Sequence, residues 1–138
     1  MQGLRYPRGM NCALNKLYFE DKLKNYEYYL LLTNDTEISG NNYLNKLVKI
    51  MNKNKKIGIL SPCSKDWGEK KFLKNNKLKC FWYIHNSAYF IRGKLIKELS
   101  NFKKDNYKFG LFDGSNFRGY GTDSELIAKS YANDYACA

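Results

Sequence analysis

Tyr28-Tyr29-Leu30-Leu31-Leu32-Thr33-Asn34-Asp35-Thr36-Glu37 is the stretch whose reading decides the fold of this 138-residue chain. Its first six residues are almost wholly apolar and the next four are polar. A run this short, with no alternation, predicts a strand covered on both faces and therefore central in a sheet. Downstream, Tyr43, Leu44, Leu47, Val48 and Met51 repeat at helical spacing. The basic run Lys53 to Lys56 then leads into Ile57-Gly58-Ile59-Leu60, which stops at Ser61-Pro62. Strand, helix and strand in this order predict a crossover joining a parallel pair in an α/β sheet.

Further out, Met10, Ala13, Leu14, Leu17, Tyr18 and Leu23 predict an amphipathic helix over Met10 to Leu23. Lys65 to Lys79 is polar and unpatterned around Trp67-Gly68 and reads as a loop or insertion. Phe81 to Ile84 and Ser87 to Arg92 read as strand segments interrupted at His85-Asn86, with a short helix over Gly93 to Leu99. Ser100 to Gly121 is rich in Asn, Asp, Gly and aromatics. A last helix covers Thr122 to Tyr131, where Thr122 and Glu125 match a capping box and Leu126, Ile127 and Ser130 share one face. No internal repeat is present, and the length suits a single domain over residues 1–138.

The hydrophobic fraction of 43% exceeds that of disordered chains. A net charge of +11 raises the question of nucleic acid, since clustered cations displace counterions from phosphates. The cations here are predominantly Lys and are scattered, for example Lys22, Lys46, Lys70 and Lys97, with few Arg for bidentate contacts. This is the pattern of a solvated surface rather than a nucleic-acid interface, although it suits a diphosphate or an approach to an anionic membrane. Cys12, Cys63, Cys80 and Cys137 form no CxxC pair, so reduced structural cysteines are expected rather than a zinc site or a disulfide framework. Residues 1–10 hold no apolar signal segment and the longest apolar run is far too short to span a bilayer, which predicts a cytoplasmic location.

Three places offer chemistry. Ligands of open α/β sheets bind beyond the carboxyl ends of the strands, where Asp35 is expected. With Glu37 it offers hard oxygen ligands for Mg²⁺ or Mn²⁺, and the bland alternative is an Asx turn. Asp123, in Gly119-Tyr120-Gly121-Thr122-Asp123-Ser124-Glu125, is either a general base or an acid complementing a helix dipole. His85, the single histidine, breaks a strand run and is either structural or in contact with substrate. Trp82, Tyr83 and Tyr89 around it could stack on a sugar, but an aromatic-rich strand is more often simply core.

Taken in order, these segments resemble the inverting glycosyltransferases of the large family 2, which have the GT-A fold. Tyr28 to Ile38 followed by a helix and Ile57 to Pro62 resembles the middle of that family. Arg8-Gly9 through Asn11, Ala13 and Asn15 is similar to the segment preceding that strand. Ala88-Tyr89-Phe90-Ile91-Arg92 is similar to the acceptor-side strand, and Gly121 to Leu126 to the helix bearing the catalytic base.

The resemblance implies a mixed, mostly parallel sheet flanked by helices, with the nucleotide-cradling first strands lying upstream of Met1. It implies transfer of a sugar, with inversion, from a nucleotide-diphospho-sugar donor to a glycan, lipid or protein acceptor, as in the building of cell-envelope polysaccharide at the inner face of a membrane. Asp35, with Asn34, would face the donor diphosphate and a divalent cation. Asp123 would deprotonate the acceptor, and Trp67, His85 and Asn86 would touch it. The family's Asp-x-Asp metal motif is not reproduced: Asn34 precedes Asp35, and Glu37 supplies the second acid. The alternative is a non-catalytic, sugar-binding relative of such an enzyme.

Overall fold

The computed structural model describes residues 4–62, 77–84, 86–115 and 119–138. Cys63, Trp67 and His85 lie outside the described residues. Helix α1 (Tyr6–Phe19) and a 3-10 turn (Leu23–Asn25) lead into β1 (Tyr28–Leu32), α2 (Tyr43–Lys53) and β2 (Ile57–Leu60). There follow β3 (Ala88–Arg92), α3 (Gly93–Leu99), α4 (Thr122–Ala132) and β4 (Ala136–Cys137). Among the described residues no helix is long and apolar enough to cross a membrane.

The class is mixed α/β, as the strand and helix periods predict, and the spans of β2 and α3 match the expected ones. The strands form one sheet in the order β1-β3-β2-β4. The expected parallel majority is corrected: β3 pairs antiparallel with both β1 and β2, and only β2 and β4 run parallel. β1 and β2 do point the same way, but β3 separates them. All five residues of β3 are buried, so this strand takes the centre. β1, expected to be central, lies at the edge of the sheet with only Leu31 fully buried. Its tyrosines explain the difference, because each phenol carries a hydroxyl that needs a polar partner. Tyr28 donates to Asn52 Oδ1 at 2.7 Å and Tyr29 to the Leu23 carbonyl at 2.8 Å.

Two apolar layers cover the sheet. Leu47 and Met51 of α2 pack with Ile57, Leu60 and Phe90 on one face. On the other, Leu14 of α1, Leu95 and Ile96 of α3, and Leu126 and Ile127 of α4 pack with Leu31, Ile59, Tyr89 and Ile91. Gly58 is required by this closeness: a Cβ there would come within 2.5 Å of Leu95 Cδ2 and 2.8 Å of Tyr135 Cβ.

Helix α1 starts and ends four residues before the predicted span. Pro7 sits in its first turn, where a missing N–H costs nothing, and Asp21 at φ 56° turns the chain away after Glu20. Its buried polar stripe is structural. Asn11 Nδ2 donates to the carbonyls of Tyr107 and Phe112 at 3.1 and 2.8 Å, and Asn11 Oδ1 accepts from Phe112 N–H at 3.0 Å. Asn15 Nδ2 donates to the Lys103 carbonyl at 2.7 Å, and Arg8 Nε to that of Gly114 at 2.7 Å. These bonds fasten the segment 100–115 and carry Leu111 and Phe112 into the core.

Arg92 is 8% exposed and lies behind α2. Its Nε donates to the Ile57 carbonyl at 2.7 Å, where the β2–β4 register shifts. Nη2 donates to the carbonyls of Met51 at 2.7 Å and Asn54 at 3.1 Å, and Nη1 donates to Tyr28 Oη at 3.1 Å. The cation thus closes the C-terminal end of α2, where the carbonyls of the last turn lack helical donors.

Two smaller corrections concern the later segments. Phe81 to Ile84 is not a strand: Phe81 N–H donates to the Cys137 carbonyl at 2.9 Å, but the ladder goes no further. Thr122 is the first helical residue of α4 rather than its cap, because the cap position is Gly121 at φ 82°. The Thr122 hydroxyl donates back to the Gly119 carbonyl at 2.8 Å, and Glu125 instead accepts from Asp113 N–H at 3.2 Å and pairs with Lys129.

Candidate functional site at the carboxyl ends of the strands

The end of β1 is a tight turn. Thr36 N–H donates to the Thr33 carbonyl at 3.2 Å, leaving Asn34 and Asp35 as its exposed middle residues, with Glu37 exposed just beyond. The turn is tied to the entry of β3: Thr33 N–H and the Thr36 hydroxyl both donate to the Ser87 carbonyl, at 3.0 and 2.8 Å. The antiparallel pairing therefore sets Asn86, half-buried and next to Ser87, beside the Asp35 turn. Thr36 and Ser87 stand 51 positions apart in the sequence.

Asp123 reaches the same end of the sheet by a different route. α4 leads into β4, which runs parallel to β2, so the helix returns antiparallel to its strand. Its first turn, holding Asp123, consequently lies where β2 finishes. Gly119 at φ 77° and Gly121 at φ 82° adopt the left-handed backbone that lets the chain turn into this helix.

Asp123 is half-buried. Its Oδ1 accepts from Ser124 N–H at 2.9 Å and its Oδ2 accepts from the Tyr83 hydroxyl at 3.0 Å. Two further phenols feel its charge. Burial first, and the Asp123 carboxylate second, push the hydroxyls of Tyr6 and Tyr89 well above the ordinary tyrosine range, so both stay protonated. Tyr89 donates to the Ile84 carbonyl at 2.9 Å. The Tyr6 hydroxyl is buried with no hydrogen-bond partner among the described residues, and its ring meets Phe112 edge-on at 5.4 Å.

The structure thus brings Asn34, Asp35, Glu37, Asn86 and Asp123 to one end of the sheet, and Trp67 and His85 lie outside the described residues. Of the three aromatics near His85, Tyr89 is fully buried and unavailable for stacking, Tyr83 touches Asp123, and Trp82 is 83% exposed. The tyrosine surround was missed from sequence. Tyr83 bonds Asp123 across 40 residues and Tyr6 feels its charge from still further along the chain, and no local pattern carries such a relation.

Among the described residues no group of three or more His, Cys, Asp and Glu side chains gathers as a ligand set. Asp35 and Glu37 are a pair of hard oxygen donors at one turn. Two carboxylates are fewer ligands than a Mg²⁺ or Mn²⁺ ion takes, so any ion there would need further oxygen ligands. No protein-family model matches this chain, and no curated protein and no solved structure matches it.

Proposed function

We propose that this chain is a GT-A-like, family 2-type glycosyltransferase domain that moves a sugar from a nucleotide-diphospho-sugar to an acceptor hydroxyl. The observation that supports the reading is the convergence of the Asp35 turn and Asp123 on the carboxyl ends of β1 and β2, with Tyr83 holding one oxygen of Asp123. In open α/β sheets ligands bind at the carboxyl ends of parallel strands, and β1, β2 and β4 present theirs at this end while β3 runs the other way. Asn34 and Asp35 would meet the donor diphosphate, Asp35 and Glu37 would hold the divalent cation, and Asn86 would lie on the acceptor side; Trp67 and His85, expected there too, are outside the described residues. A bound Mg²⁺ or Mn²⁺ would neutralise charge developing on the diphosphate.

The carboxylate of Asp123 takes the proton of the acceptor hydroxyl while that oxygen bonds to the anomeric carbon. The bond from this carbon to the diphosphate breaks with its electron pair leaving on phosphate oxygen. One displacement from the opposite face inverts the centre. The scattered positive surface suits work beside an anionic membrane.

The test is thermal unfolding of the 138-residue chain with UDP-, GDP- and dTDP-sugars, with and without Mn²⁺. Ligand that binds the native state raises the midpoint by mass action. A Mn²⁺-dependent rise that Asp35→Ala abolishes supports the reading. No rise with any nucleotide rejects donor binding by this chain and leaves the sugar-binding alternative.

A further inference from the structure

Trp82 is the most exposed large apolar side chain among the described residues, at 83%, whereas Trp is ordinarily well buried. The backbone around it is held on three sides. Phe81 N–H donates to the Cys137 carbonyl at 2.9 Å, and the Phe81 carbonyl accepts from the Tyr131 hydroxyl at 2.7 Å. Ile84 is buried, and its carbonyl accepts from Tyr89 at 2.9 Å. These bonds fix the backbone that carries the indole, so little backbone freedom is lost when a partner binds. The next residue, Tyr83, lies 5.9 Å from Trp82 between ring centroids and hydrogen-bonds Asp123. Tyr120, 78% exposed, stands three residues ahead of Asp123.

We propose that Trp82, Tyr83 and Asp123 form a saccharide-binding site, in which the indole face stacks on a sugar ring and Asp123 accepts a hydrogen bond from one of its hydroxyls. A pyranose has this double character, with C–H groups on its faces and hydroxyls around its edge. The carboxylate disfavours a phosphate-bearing ligand, and one aromatic face offers no groove for a lipid chain. The reading of this sugar as the acceptor rests on the transferase proposal; the binding site itself does not.

The experiment follows the indole N–H resonances of the ¹⁵N-labelled chain, which has 2 Trp, with Trp82→Phe identifying the signal. Methyl β-glucoside, methyl β-galactoside, N-acetylglucosamine, cellobiose and maltose are titrated in turn, with uridine as a stacking ligand that lacks phosphate. We expect at least one saccharide to displace the Trp82 signal saturably. Trp82→Ala should weaken that binding about ten-fold through the lost ring contact, followed on backbone amides near Asp123. Because Trp82 is exposed, the variant keeps the parent's thermal midpoint.

A Trp82 signal that no saccharide moves, or that only uridine moves, overturns the inference. Saccharide binding without any nucleotide-dependent thermal shift upholds the site and rejects the transferase. A nucleotide shift lost in Asp35→Ala, with Trp82 unmoved by sugars, does the reverse.

Discussion

Replacing Arg92 with methionine should cost more stability than any exposed substitution in this chain. The methionine preserves an unbranched apolar stem and removes the guanidinium. The carbonyls of Ile57, Met51 and Asn54 then lose donors now at 2.7, 2.7 and 3.1 Å, while those of Met51 and Asn54 keep the backbone N–H groups of Asn54 at 3.2 Å and Ile57 at 3.0 Å. A buried acceptor left unpaired costs about 1–3 kcal/mol. Relief of the buried cation's own desolvation offsets part of the loss, which falls chiefly on the Ile57 carbonyl. The net loss is about 1–3 kcal/mol, a sizeable share of the roughly 5–15 kcal/mol typical of domains.

With a urea slope of about 1.5 kcal/mol per M, the midpoint should fall by about 0.7–2 M, read by far-ultraviolet circular dichroism. Arg92→Lys should fall between the two, because one ammonium cannot occupy both the Nε and Nη2 positions. A methionine variant within about 0.3 M of the parent would refute the assignment of Arg92 as the closure of α2.

Asn11→Asp keeps the acceptor for Phe112 N–H but sets a carboxylate against two carbonyls, so it should lose about as much as Asn11→Ala, roughly 2–3 kcal/mol by the same urea assay. An aspartate variant as stable as the parent would show that the Asn11 donor bonds do not hold the 100–115 segment. Gly58→Ala should cost about 1–3 kcal/mol or more through overpacking against Leu95 and Tyr135, and the cost of Leu95→Ala should be smaller in the Gly58→Ala chain than in the parent. Burial pushes the Cys137 thiol up to about 11, so Cys137 should resist a thiol reagent at pH 8 in the folded chain while exposed Cys80 reacts. A group whose folded pKa is raised stabilises fully below its unfolded value of about 8.5 and loses this as pH rises. The urea midpoint should therefore decline between about pH 8.5 and pH 11, with the raised hydroxyls of Tyr6 and Tyr89 adding to the fall. Cys137→Ser should make that decline shallower.

The local elements were legible in the sequence because they depend on neighbours three or four residues away. The 3.6 period of Tyr43 to Met51, the run Ile57 to Leu60 and the polar break after Leu32 determined two strands, a helix and the placing of Asp35 at a strand end. The exchange of centre and edge was not legible. β1 reads as the more apolar strand, but β3 is buried on both faces, and only the packed layers reveal that the tyrosines of β1 carry hydroxyls to polar partners.

Of the candidate site, Asp35 and Asp123 were visible singly, as acids beside a strand end and a helix start. Their convergence was decided by the tertiary structure, through the antiparallel β3 that ties Ser87 to the Asp35 turn and the α4–β4 return that sets Asp123 at the same sheet end. The Tyr83–Asp123 contact and the three bonds of Asn11 likewise join residues 40 to 101 positions apart. Sequence periodicity carries which face of a segment turns inward, whereas the partner on that face is chosen only when the layers close and each buried polar atom must find a bond.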